Sequence, residues 1–195
     1  LHRARQLAQM LLRLQVGYGD RVAILTQNNL QTIEAHFSIP AINAIIVMLN
    51  PWLPTNDLLH LLNYCEAKVL ILDADLIEKI PFDVQTHLSH LQKVVIIDQS
   101  GKTFHPGVVD YETYLESENG EFILDKTVKE ELEPLAINFT SGTTGCPKGV
   151  ICTHRGAYLN ALGQALMIGL NKASNYLWVL PMFHVNGWGH IWANV

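Results

Sequence analysis

Residues 134–152, PLAINFTSGTTGCPKGVIC, join two apolar runs through a loop of glycine, hydroxyl and thiol side chains that also holds one proline and one lysine. The runs Ala136 to Phe139 and Gly149 to Cys152 have the composition of short strands. Glycines allow positive φ angles and a close approach of the backbone to a ligand, and successive N–H groups can point inward around an anion. The stretch predicts a separate antiparallel strand pair whose loop binds phosphate.

The loop differs from the Walker A sequence, in which Ser or Thr directly follows the lysine. Here Pro147 precedes Lys148 and Gly149 follows it. A plain hairpin turn rich in turn-forming residues is the alternative interpretation. The ordered combination of hydroxyls, glycines, proline and lysine favours phosphate binding over that alternative.

Upstream of the loop, apolar runs alternate with stretches in which apolar residues recur at helical spacing. The predicted strands include residues 22–25, 45–49, 69–72 and 94–97, and the predicted helices include residues 3–16, 28–44 and 54–65. Strands that are almost entirely apolar are typical of a parallel sheet buried between helices. The fold class is therefore predicted to be α/β, a layered domain with a mostly parallel sheet flanked by helices.

Composition narrows the class of protein. The 195 residues are 49% hydrophobic and 16% charged, which is typical of a globular chain and not of a disordered one. The formal net charge of −5 argues against a general nucleic-acid binder. Three cysteines without CxxC spacing indicate neither a disulfide framework nor a zinc site. The longest apolar stretch, Ile39 to Leu49, is too short to span a bilayer.

The loop TSGTTGCPKG, residues 140–149, resembles the phosphate loop of the adenylate-forming superfamily, which includes acyl-CoA synthetases and 4-coumarate–CoA ligases. Other segments resemble the N-terminal half of that superfamily in the same order: GDRVAIL at 19–25, LNPWL at 49–53 and AKVLILD at 67–73. GVICTHRG at 149–156 and LPMFHVNGW at 180–188 follow the loop, the latter in a form typical of fatty acyl-CoA synthetases. The resemblance covers nearly the whole chain.

The resemblance implies a two-step reaction. A carboxylate attacks the α-phosphate of ATP and releases pyrophosphate, and coenzyme A then displaces AMP from the acyl-adenylate. ATP, Mg²⁺ and coenzyme A are the implied cofactors and co-substrates. The implied contacts to the β- and γ-phosphates are Thr140, Ser141, Gly142, Thr143, Thr144, Gly145 and Lys148. Lys148 would balance the charge of the leaving pyrophosphate, while an ordinary solvated lysine is its alternative interpretation.

His184 and Trp188 are the candidate residues of the acyl site. The resemblance implies that His184 orients the carboxylate, without proton transfer, and that Trp188 lines or gates an acyl tunnel. From the residues alone, His184 could equally be a packed core histidine and Trp188 an anchoring core aromatic. A zinc site at His154, His184 and His190 is disfavoured, because their spacing is wrong and no carboxylate is nearby.

The resemblance also implies that the chain is part of a longer protein. Residues 1–195 correspond to part of the N-terminal AMP-binding domain, with a sheet layer in 1–133 and the phosphate loop and start of the acyl-binding region in 134–195. The C-terminal domain that carries the catalytic lysine of the superfamily is not in the sequence. The fragment alone is therefore expected to be inactive.

The predicted function of the full-length protein is an ATP-dependent acid–thiol ligase for a medium- or long-chain fatty acid. The expected partners are small molecules, with no nucleic acid, no transmembrane segment and a possible homodimer, and the expected location is the cytoplasm. Two alternatives stay open. One is an aromatic-acid ligase of the 4-coumarate type, and the other is a catalytically dead nucleotide-binding or interaction module.

Overall fold

A seven-stranded sheet lies at the centre of the part of the chain that the structure describes. The structure is a computed structural model, and it describes residues 1–81, 83–98, 108–119, 130–140 and 147–195. The strands are β1 (Arg21–Leu25), β2 (Ile45–Met48), β3 (Ala67–Asp73), β4 (Lys93–Ile97), β5 (Val108–Asp110), β6 (Pro134–Thr140) and β7 (Lys148–Thr153). The helices are α1 (His2–Arg13), α2 (Leu30–Ala41), α3 (Thr55–Tyr64), α4 (Val84–His87), α5 (Tyr111–Glu116), α6 (His154–Ile168), α7 (Val185–Trp188) and α8 (His190–Ala193), with a 3₁₀ helix at Ala74–Lys79.

The strand order across the sheet is β5-β4-β3-β1-β2-β6-β7. Neighbouring strands are parallel except at one end of the sheet, where β6 and β7 are antiparallel. The predicted α/β class with a mostly parallel sheet is therefore confirmed, and so is the antiparallel pair. The expectation that this pair is separate from the sheet is wrong. β6 continues the sheet because it pairs in parallel with β2, with Val47 opposite Ile137.

Both faces of the sheet are buried at strands β1 to β4, as the apolar character of these strands predicts. In β1, Val22 and Ile24 face the core beneath α1 and α2, whereas Ala23 and Leu25 face the core beneath α3. The same alternation continues in β2 and β3. This two-sided burial fixes the register of the strands, since a shift by one residue would exchange the two cores.

The helix boundaries follow from local chemistry. The side chain of Asn29 accepts a hydrogen bond from the backbone N–H of Thr32 (2.8 Å), so α2 starts at Leu30 and not at residue 28. The helix ends at Ala41, one residue after Pro40, and Asn43 then takes a left-handed conformation (φ 57°). The predicted helix over 28–44 is therefore present and shorter at both ends.

A charged cluster ties α1, α2 and α5 together above the sheet. The Arg3 guanidinium donates to the carboxylates of Glu34 and Glu112. Glu34 is buried and also accepts a hydrogen bond from the hydroxyl of Tyr111 (2.7 Å). The hydrogen bonds from Arg3 lower the pKa of Glu112, and burial raises the pKa of Tyr111. The cluster pairs a buried carboxylate with a cation and a hydroxyl.

Among the described helices, none combines the length and the apolar composition that a membrane span requires.

Candidate active site

The strand pair β6–β7 holds the two ends of the predicted phosphate loop. Thr140 closes β6, and Lys148 opens β7 directly opposite it. Both residues are exposed. Ser141, Gly142, Thr143, Thr144 and Gly145 lie outside the described residues, so their predicted phosphate contacts stay predictions. The structure thus brings the first and last members of the candidate loop together across one rung of the sheet.

The strands below the loop are packed tightly enough to fix its ends. Gly149 lies against Ile137 and Phe139, and a Cβ at this position would sit 3.2 Å from the Ile137 Cγ2 atom. Phe139 in turn packs edge-on against Tyr64 of α3, with ring centroids 6.3 Å apart. The glycine leaves room for this packing directly after Lys148, so the start of β7 lies close against β6.

Helix α6 begins immediately after β7. The Thr153 hydroxyl accepts a hydrogen bond from the backbone N–H of Gly156 (3.1 Å) and caps the helix N-terminus. His154, the first helical residue, is half-buried, and burial lowers its pKa while Glu133 opposes the shift. Among the residues that the structure describes, no group of three or more His, Cys, Asp or Glu side chains could hold a metal ion.

The segment before α7 is held at the carboxyl end of β1 by Asn28. The Asn28 side chain donates to the carbonyl oxygen of Leu180 (2.8 Å) and accepts from the backbone N–H of Met182 (2.8 Å). The loop that carries Asn28 is itself fixed, because Asp73 accepts hydrogen bonds from Gln27 N–H and from the Asn29 side chain (both 2.7 Å). Burial raises the pKa of Asp73.

A second contact holds the same segment beyond the carboxyl end of β2. Trp52, in the loop after β2, packs edge-on against Phe183 with ring centroids 5.1 Å apart. The sequence analysis identified neither Asn28 nor Trp52 as a site residue. Polar residues directly after a buried parallel strand are the signal that could have pointed to Asn28, since ligands in open α/β sheets bind at the carboxyl ends of strands.

His184 is exposed and forms the N-cap of α7. Its Nδ1 accepts a hydrogen bond from the backbone N–H of Asn186 (3.3 Å). In the neutral imidazole with Nδ1 as acceptor, the proton resides on Nε2. Because His184 is exposed, its interpretation as a packed core histidine is wrong. Its Nε2–H can donate to a carboxylate oxygen.

Trp188 has the opposite environment. Only 4% of the residue is exposed, and its indole packs edge-on against Trp192 with ring centroids 4.7 Å apart. It belongs to the core cluster on the α1–α2 face of the sheet. The indole Nε1 is buried and has no hydrogen-bond partner among the described residues. The burial agrees with the anchoring role that the residues alone suggested, and the role of Trp188 at an acyl tunnel stays a prediction.

Both parts of the candidate site, the ends of the predicted phosphate loop and the segment before α7, lie at the carboxyl edge of the sheet. The strands β1, β2 and β6 are parallel neighbours, so their carboxyl ends lie at one edge. Thr140 ends β6 at this edge, and the residues that follow β1 and β2 hold the segment from Leu180 to Phe183 there. An exposed lysine at a glycine-rich loop and a histidine N–H donor at one edge suit an anionic ligand.

The sequence profile described as "AMP-binding enzyme" matches residues 1–195, the whole chain. The chain belongs to the AMP-binding enzyme family. The chain is 36% identical over 205 residues to an acetate–CoA ligase of Humulus lupulus, and the alignment covers 98% of this chain and 36% of the relative. It is 31% identical over 206 residues to a peroxisomal trans-cinnamate:CoA ligase of Petunia hybrida, with coverage of 98% and 36%.

The fold of the chain also occurs in solved structures. A long-chain-fatty-acid–CoA ligase from Archaeoglobus fulgidus superimposes with a TM-score of 0.84 at 26% identity, over 98% of this chain and 36% of that one. The chain thus spans about a third of the length of the relatives it matches. The relatives are named for acids of different classes, so the family membership does not identify the acid.

Proposed function

We propose that the protein containing this chain is an ATP-dependent acyl-CoA synthetase. It activates a carboxylic acid as an acyl-adenylate with release of pyrophosphate and then transfers the acyl group to coenzyme A. The observation that carries the proposal is the pairing of Thr140 with Lys148 across β6 and β7 at the carboxyl edge of the sheet. This arrangement closes a loop of hydroxyl and glycine residues beside a lysine, which suits a polyphosphate.

The residues have separate roles in this proposal. Lys148 compensates the charge that accumulates on pyrophosphate as the bond to the α-phosphate breaks, and nucleotidyl transfer depends mainly on such positioning and charge stabilisation. Thr140, with the loop residues 141–145, contacts the β- and γ-phosphates. His184 uses its Nε2–H to orient a carboxylate oxygen, since its Nδ1 is already engaged by the helix cap.

Mg²⁺ would enter the site with the nucleotide. It binds through few protein carboxylates and is commonly held by substrate phosphates and water. The described residues fit this mode, because Thr140 offers a hydroxyl at one end of the loop and the exposed Lys148 lies opposite it, where it would meet the phosphates that carry the ion. When bound, the ion supplies charge neutralisation of the phosphates. Coenzyme A would act as the acyl acceptor.

For the acid, we propose a medium- or long-chain aliphatic substrate. Trp188 of α7 and Trp192 of α8 pack against each other at the apolar core, and burial of each acyl methylene contributes about 0.8 kcal/mol. An aromatic acid is the second candidate, which the 31% identity to a trans-cinnamate:CoA ligase favours. A kcat/KM series over straight-chain and cinnamate-type acids separates the two, and an aromatic optimum would refute the aliphatic assignment.

Replacing Lys148 by Ala tests the proposed chemistry. Adenylate formation should slow by about 100-fold, because a preorganised charge of this kind stabilises the transition state by about 3 kcal/mol. Thioester formation from supplied acyl-adenylate should change much less, since pyrophosphate has already left. The exposed Lys172, replaced by Ala, is the matched control and should leave both half-reactions intact. Equal losses in both half-reactions of Lys148→Ala would argue against the assigned role.

A further inference from the structure

The loop after β1 is tied to the end of β3 on both sides of Asn28. The Asp73 carboxylate accepts a hydrogen bond from the backbone N–H of Gln27 at one oxygen and from the side chain of Asn29 at the other (both 2.7 Å). Asp73 is half-buried at the end of β3, which is a parallel neighbour of β1. Asn28 lies between the two donors and is therefore presented from a fixed point at the carboxyl edge of the sheet.

The Asn28 carboxamide binds the backbone on both sides of Pro181. Its Nδ2 donates to the carbonyl oxygen of Leu180, and its Oδ1 accepts from the N–H of Met182 (both 2.8 Å). Proline has no N–H of its own, so the groups on either side of it are the ones that a side chain can use to hold this part of the backbone. An amide supplies one donor side and one acceptor side in a single plane, whereas an ionised carboxylate only accepts.

Pro181 transmits this constraint to the start of α7. The carbonyl oxygen of Pro181 accepts a hydrogen bond from the backbone N–H of His184 (3.2 Å). Gly187 of α7 lies directly against the same carbonyl, since a Cβ at this position would overlap the oxygen. The backbone of His184 and the first turn of α7 thus rest on the peptide that Asn28 holds.

His184 depends on this support because its side chain is exposed and is not held by core packing. Its Nδ1 accepts from the N–H of Asn186 within α7, so the direction of its Nε2–H follows the start of the helix. A group that orients a substrate must be held within about 0.5 Å of its productive position. The hydrogen bonds of Asn28 supply that precision at the backbone from which the imidazole projects.

We propose that Asn28 is a positioning residue for the carboxylic acid, which it serves by placing His184. The proposal rests on the proposed acyl-CoA synthetase function. Thr140 and Lys148 are placed by the pairing of β6 with β7 and not by Asn28. Loss of the Asn28 side chain should therefore impair the use of the acid and spare the binding of ATP.

The first test compares the two substrates in the complete protein. Asn28→Ala should lower kcat/KM for the acid by about tenfold and leave the KM for ATP within about twofold. Asn28→Asp keeps the size of the side chain but cannot donate to Leu180, so it should show the same pattern. Asn63→Ala, at an exposed residue of α3, is the matched control and should change neither value. An unchanged kcat/KM for the acid in Asn28→Ala, or an equal loss for ATP, would overturn the inference.

The second test asks whether Asn28 acts through His184. His184→Ala alone should lower kcat/KM for the acid by about tenfold. Adding Asn28→Ala to this variant should lower it by less than about twofold more, because the side chain that Asn28 places is already absent. A residue that only stabilises the fold would act independently, and the two losses would multiply to about 100-fold. A double variant with this multiplied loss would overturn the inference. Circular dichroism at the assay temperature checks that all variants are folded.

The tests separate this inference from the proposed function. If no carboxylic acid supports adenylate formation, the proposed function fails and the inference fails with it. If acids are activated and His184→Ala lowers kcat/KM, but the effect of Asn28→Ala is absent or multiplies with it, only the inference fails.

Discussion

Protonation of His36 should destabilise the fold as the pH falls from 7 to 4.5. Burial lowers the pKa of His36 from its ordinary value of 6.5 to about 4 in the folded protein. The unfolded chain binds the proton more tightly than the folded protein, because the pKa of this histidine is lower in the folded state. Its contribution to stability is therefore complete above pH 6.5 and is lost as the pH falls towards the pKa of the folded state. The two values correspond to a loss of about 2.5 kcal/mol in the free energy of unfolding between pH 7 and pH 4.5.

Urea unfolding at pH 7 and pH 4.5, followed by circular dichroism, measures this loss. His36→Phe should remove about 2.5 kcal/mol of the pH dependence, because phenylalanine cannot be protonated. His60→Phe, the same change at an exposed residue of α3, should retain the wild-type pH dependence. Comparing the variants cancels the shared effects of acid on the carboxylates. If His36→Phe loses as much stability as the wild type over this interval, His36 is not buried in its neutral form.

Three further substitutions test the packing around the site by thermal or urea unfolding. Arg3→Ala should lower the free energy of unfolding by about 1–3 kcal/mol, since it leaves the buried carboxylate of Glu34 without its cation. The control Arg5→Ala, at an exposed residue, should change the free energy of unfolding by less than about 0.5 kcal/mol. Equal effects of the two substitutions would refute the charged cluster. Gly187→Ala should lower the free energy of unfolding by about 1–3 kcal/mol, because the added Cβ would overlap the backbone carbonyl of Pro181. The control Gly163→Ala, in open space within α6, should raise the free energy of unfolding by about 0.5–1 kcal/mol. An unchanged stability of Gly187→Ala would contradict the packing around Gly187. Trp188→Ala should cost about 3–5 kcal/mol, and a loss below about 1 kcal/mol would mean that the indole is not in the core.

The sheet was largely predictable because its strands carry their own signal. The runs at 22–25, 45–49, 69–72 and 94–97 are apolar on both faces, and each lies in a strand or extends one residue past it. β5 was missed because its three residues, Val108–Asp110, are only half-buried and too few to show a period. The pairing of β6 with β2 was also missed, since the residue pattern of a strand does not show which strand lies beside it in the sheet.

The contacts that position the site were less predictable because they connect distant parts of the chain. Asn28 and its partner Leu180 are 152 residues apart, and no local pattern relates them. The sequence pattern of α2 does not show that His36 is buried. That its Nε2 lacks a hydrogen-bond partner among the described residues is seen only in the structure, where Trp192 of α8 packs against the imidazole. For His184, the apolar residues around it left a packed core histidine open as an alternative, and only the structure shows that it is the exposed N-cap of α7.

Acid-dependent exchange of labelled pyrophosphate into ATP tests the central claim most directly. The assay uses the complete protein with ATP and Mg²⁺, without coenzyme A, because exchange reports the reversal of the first step alone. We expect exchange that requires a carboxylic acid and that falls by about 100-fold in Lys148→Ala. Absence of exchange with every aliphatic and aromatic acid, from a folded protein that still binds ATP, would contradict the assignment of this chain to an acyl-adenylate-forming enzyme.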